Sequence, residues 1–127
     1  MKKTIMHEFD PIIYPRKLWV VVTESEEFIH DNFDIEYDIE GFSNKFDAIV
    51  FPAQIKEGNY LGVIVAFRSK SEMSVKNIAH ESVHISSVIF NDCNMTMGFD
   101  GGKDEHFAYL TGWAADCINS IKNGRLK

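Results

Sequence analysis

The chain has only two cysteines and three prolines in 127 residues, no apolar run long enough to cross a bilayer, and no cluster of basic side chains beyond Lys2-Lys3 and the scattered C-terminal Lys122, Arg125 and Lys127. Each shortage removes a class of explanation. Cys93 and Cys117 stand alone, without C-x-x-C spacing, and read as reduced thiols that belong to the packing. Apolar stretches such as 63–67 have the length of a strand, so no membrane-spanning helix is expected. The start, Met1-Lys2-Lys3, is basic like a secretory leader, but His7, Glu8 and Asp10 stand where its apolar segment belongs, and the expected location is cytoplasmic. Lysine and arginine number 13 against 19 acids, a net charge of −6, which disfavours nucleic acid as a partner because a phosphate backbone would be repelled. Internal repeats and low-complexity tracts are absent as well.

What is present suits one globular domain spanning 1–127. The chain is 45% hydrophobic, and its ten Phe, four Tyr and two Trp can fill a single core. Residues 1–16 hold Pro11 and Pro15 and read as an extended N-terminal arm. Residues 17–22 form a Val- and Trp-rich strand. Thr23 with Glu26 three residues on is a capping-box pattern that predicts a short helix to about Phe33, with Phe28, Ile29 and Phe33 inward. Residues 34–39 alternate Ile35, Tyr37 and Ile39 with acids, as a half-buried strand does. Residues 41–47 read as loop. Residues 48–55 and 60–68 are apolar runs joined by Lys56-Glu57-Gly58-Asn59, which predicts a hairpin. Pro52 within the first run predicts an edge or a bulge there.

The second half changes period. Val75, Ile78, Ala79, Val83 and Ile89 have helical spacing within 71–91. After a glycine-bearing loop, Phe107, Leu110, Ala114, Ile118 and Ile121 mark a second helix over 104–122, with Gly124 as its stop. The expected fold class is α+β, a small mostly antiparallel or mixed sheet packed on two C-terminal helices.

One motif carries chemistry. His80-Glu81-Ser82-Val83-His84 has the H-E-x-x-H form, which chance would produce in a chain of this composition roughly 1–2% of the time. Residues i and i+4 stack on one helix face roughly 5–6 Å apart at Cβ, so both imidazoles can reach one Zn2+. Glu81 is turned about 100° away, where it can serve a water as general base. An open zinc site wants three protein ligands. Ser87 and Phe90 stand where the pattern H-E-x-x-H-x-x-G-x-x-H needs glycine and histidine. Glu72 lies two helical turns from His80, too far to close the site. The only glutamate downstream of His84 is Glu105, which is therefore the expected third ligand, with Asp104 and His106 as alternatives of neighbouring helical phase. Tyr109, one turn after Glu105, is the expected donor to a developing oxyanion. Asp116 could orient a ligand histidine through its second ring nitrogen.

With His80, Glu81, His84 and Glu105 in place, the chain resembles the gluzincins, and in its size the minigluzincins. The stretches 9–19, 79–84 and 104–112 are also similar to uncharacterised zincin-like proteins of phages and prophages. The resemblance departs at Tyr109, where an acid would stand. It implies a zincin fold and a zinc-dependent hydrolase of peptidase type. It also implies an extended peptide or protein substrate paired to an edge strand, for which strand 60–67 is the candidate. The alternative reading is a non-catalytic zincin-fold phage protein whose metal site is structural.

Overall fold

The computed structural model describes residues 4–124, the side chain of Ser43 excepted. The basic ends of the chain, Met1-Lys2-Lys3 and Arg125 to Lys127, lie outside the described residues. The fold is α+β, a mixed five-stranded sheet with helices. The strands are β1 (Ile5–Phe9), β2 (Lys17–Val22), β3 (Phe33–Asp34), β4 (Ala48–Ile55) and β5 (Leu61–Phe67), in the order β1-β2-β5-β4-β3. The helices are α1 (Glu26–Asn32), α2 (Phe42–Lys45), α3 (Val75–Asp92) and α4 (Glu105–Asn123). None of the described helices is long and apolar enough to cross a membrane.

β2 and β5 pair in parallel at the centre, and this explains their composition. A strand covered on both faces reads as a continuous apolar run. Leu18, Val20, Val63, Val65 and Phe67 enter one core with α3 and α4, while Trp19, Val21, Ile64 and Ala66 enter a second core with Ile29, Phe33, Ile39 and Phe42. Each fully buried aliphatic or aromatic side chain there contributes about 1.5–3 kcal/mol of transfer free energy. Trp19 is fully buried, and its indole N–H donates to Glu8 Oε1 at 2.9 Å across the β1–β2 pair. Gly62 allows the β2–β5 approach, because a Cβ there would collide with the Lys17 carbonyl oxygen and the Trp19 ring.

Several expectations are corrected. The N-terminal arm is not merely extended: residues 5–9 form β1, antiparallel to β2. α1 is capped by Ser25, whose Oγ accepts from the Phe28 amide, and not by Thr23, whose Oγ1 accepts from the Ser25 amide and is shared with Thr4. The strand expected over 34–39 stops at Asp34, and the loop expected over 41–47 contains α2. Strand 60–67 is not an edge strand. β5 is hydrogen-bonded to β2 on one side and β4 on the other, so its main chain has no side open to a peptide.

β1 is one edge strand of the sheet, and at the other side the outer edge of β4 is unpaired except where β3 meets it. The Ile55 amide donates to the Tyr60 carbonyl, and the Arg68 amide to the Asp47 carbonyl, both at 3.0 Å. Odd-numbered residues of this strand therefore face β5, and Ala48, Val50, Pro52 and Gln54 turn their main-chain groups outward. β3 meets only Gln54 and Ile55. Pro52 thus lacks its N–H on the outer edge, where the β4–β5 ladder loses nothing, as its position in the sequence predicted.

Candidate metal centre

α3 begins at Ser74, whose hydroxyl accepts from the Asn77 amide at 3.1 Å. Ile78, Ile85, Ile89 and Phe90 bury its core face. Ser82 and Ser86 are small enough to bring α4 close. Ser82 returns its hydroxyl to the Ile78 carbonyl at 2.6 Å, and Ser86 meets Thr111 at 2.7 Å. Thr111 spends its one proton on the Phe107 carbonyl, so Ser86 is the donor between the two hydroxyls.

This packing turns His80 and His84 outward and sets Glu81 at the boundary of the core. The two histidine Nε2 atoms are 3.2 Å apart, with ring centroids 4.8 Å apart and planes at 72°. Glu81 is 8% exposed, and among the described residues it has no hydrogen-bond or ion-pair partner. Burial raises its carboxyl above the usual carboxylate range, against a smaller opposing effect of His80 and His84. A carboxylate held in this way accepts a proton more readily than one in water, as a general base should.

The three side chains line a cavity of about 350 Å³ between α3 and the open edge of β4. Its opposite wall includes Ala48, Val50 and Tyr37. The Tyr37 ring stacks on Phe51, centroids 5.8 Å apart and planes 6° apart. Sequence reasoning missed Tyr37 as a site residue. Its only signal was a place in an alternating run, which treats it as one more strand residue.

The residues expected from α4 do not join this cavity. The Ser86–Thr111 contact and the Phe90–Phe107 ring contact, centroids 5.2 Å apart, fix the register of α3 against α4. His84 lies six residues before Phe90, and Glu105 two residues before Phe107. The helix rise then separates Glu105 from His84 by about 12 Å along the axes. Glu105 is exposed at the first turn of α4, with Asp104 just before it. His106 and Tyr109 line a different cavity, against Pro11, Ile13 and Tyr14 of the N-terminal segment. Asp116 is exposed on α4 and does not line the histidine cavity. Among the described residues, no group of three or more His, Cys, Asp or Glu is arranged to hold a metal ion.

The two rings stand within hydrogen-bonding distance of each other, and the same spacing suits one edge of a zinc site. Two nitrogens each about 2.0–2.1 Å from a tetrahedral ion lie about 3.3 Å from each other, close to the spacing seen here. No protein-family model, no curated protein and no solved structure matches the chain.

Proposed function

We propose that the protein is a zinc-dependent hydrolase of peptide or amide bonds, with a zincin-like arrangement of sheet and helix. The observation that carries this reading is the pair of Nε2 atoms at zinc-edge spacing, beside a buried carboxylate, in a cleft walled by an open strand edge. His80 and His84 would hold the ion; Glu105, the third ligand expected from the sequence, lies about 12 Å from His84 along the helix axes, so the remaining positions would fall to water and substrate. Zinc supplies Lewis acidity that polarises a carbonyl and acidifies water. Glu81 accepts the proton of the attacking water and returns it to the leaving amine. The amides and carbonyls of Ala48 and Val50 hold an extended segment alongside the cleft, a role that belongs to β4 and not to strand 60–67.

The deciding experiment loads the protein with zinc and follows turnover of a broad panel of quenched peptides. Glu81→Gln should keep the zinc and lose turnover. Zinc retained with no turnover on any substrate, in either protein, instead supports the structural-site alternative. Failure of the protein to bind zinc at all removes both readings.

A further inference from the structure

The cleft beside His80 does not end at Ser87. A second cavity, of about 330 Å³, lies further along, with Asp34, Glu36, Pro52 and Asp92 among its lining residues. The two cavities share no lining residue, but three wall elements run from one toward the other. Val88 and Asp92 are one turn apart on α3, Val50 and Pro52 are successive residues on one face of β4, and Glu36 precedes Tyr37 in the chain. From His84 to Asp92 the helix rise gives a groove about 12 Å long. That is the span of three to four residues of extended chain at about 3.3 Å each.

The far end of this groove is acidic. Between Lys17 and Lys45 the chain has eight carboxylates and no lysine or arginine. Asp34 and Glu36 come from that stretch, are exposed, and have no ion pair among the described residues. Asp92 is already engaged by Arg16, Nε to Oδ2 at 3.2 Å, so the available charge belongs to the other two. At the near end Glu81, 8% exposed, has no hydrogen-bond or ion-pair partner among the described residues and lines the adjoining cavity.

We propose that the groove takes an extended polypeptide segment bearing lysine or arginine three to four residues from the point beside Glu81, with the cationic side chain received between Asp34 and Glu36. The inference deepens the peptide-hydrolase reading and rests on it for the placement of the segment. The open main chain of Ala48 and Val50 recognises any extended backbone, and the carboxylates select among sequences. An acidic segment is repelled, and a neutral one gains nothing at the far end.

The test is binding, which does not depend on turnover. Fluorescein-labelled alanine-serine peptides of about ten residues, matched except for lysine, glutamine or glutamate at the selective position, are titrated by anisotropy against the zinc-loaded protein. The lysine peptide should bind about fivefold to tenfold more tightly than the glutamine peptide, the range for one side chain between two exposed carboxylates. The preference should shrink when ionic strength rises from about 0.05 to about 0.5 M. In an Asp34→Asn/Glu36→Gln variant the ratio of the two affinities should fall to near one. A Glu27→Gln/Asp31→Asn variant, which removes equal charge from α1 on the other sheet face, should keep it. Equal binding of lysine and glutamine peptides, an equal loss of preference in both variants, or no peptide binding overturns the proposal. Lysine-selective binding without hydrolysis leaves it standing while removing the hydrolase reading, and hydrolysis without charge preference does the reverse.

Discussion

The two ends of the α3–α4 hairpin were expected to build one site, and they differ in what determines them. At the α3 end, His80, Glu81 and His84 occupy one helix, and their mutual placement follows from 3.6 residues per turn. At the α4 end, Glu105, His106 and Tyr109 depend on how one helix lies against another, and side chains elsewhere decide that. Ser86 against Thr111 and Phe90 against Phe107 set the register, and it carries Glu105 past the histidines toward the interhelical loop. A motif within a helix is readable from spacing alone. A constellation across two helices is readable only once their packing is known.

The largest effect that bears on this contrast is in catalysis. Glu81→Gln should lower turnover by about 10²- to 10⁴-fold with zinc content unchanged, whereas Tyr109→Phe should change it less than about threefold. Steady-state rates on one cleaved peptide compare the two. Next is metal affinity. His84→Ala should weaken zinc binding by about 100-fold or more, and Glu105→Gln by less than about threefold, as measured by competition with a chromophoric chelator. Equal losses in the two variants would break the contrast and mean that α4 slides along α3 when zinc binds. Smaller still is the contribution of the register contact. Ser86→Ala should cost about 1 kcal/mol and lower Tm by about 3–5 °C in calorimetry, because one buried hydrogen bond is lost.

The smallest effect concerns the two thiols. Burial, with a lesser push from the charge of Asp116, raises the Cys117 thiol from 9.0 to about 12. Native Cys117 should therefore resist iodoacetamide at pH 8 while the less buried Cys93 reacts. The folded state holds this proton more tightly than the unfolded chain. Its contribution to stability is thus present below pH 9 and is lost as pH rises toward 12. Alkylation followed by peptide mapping, and Tm measured against pH in wild type and Cys117→Ser, check both statements.

Much of the fold was legible because its strongest elements obey their periods. β2 and β4 have the expected bounds, and the 56–59 turn joins an antiparallel hairpin. α4 ends at Gly124 in the left-handed conformation, φ 67°, as a stop signal should. The misses have separate physical causes. Val75, Ala79 and Val83 were expected on the core face of α3, yet all three are exposed, because the buried stripe runs through Ile78, Ser82, Ile85 and Ile89. Ile35 and Ile39 are drawn inward without a ladder, so alternation over 34–39 reported burial and not pairing. β1 was missed because His7 and Glu8 dilute its apolar content, and the bond from Trp19 to Glu8 that secures it is not local. Of the site, the part on α3 was legible and Tyr37 was not, because its position depends on where β3 stops.

Pro52 limits what an exposed strand edge can do to the protein itself. Unpaired amides invite a second copy to zip on and propagate into an aggregate. Beyond Ala48 and Val50, the next outward position on β4 has no donor, so an intruding strand finds a foothold two residues long and then a gap. A short guest that also reaches the histidines can be retained, while runaway self-association is starved at the third rung.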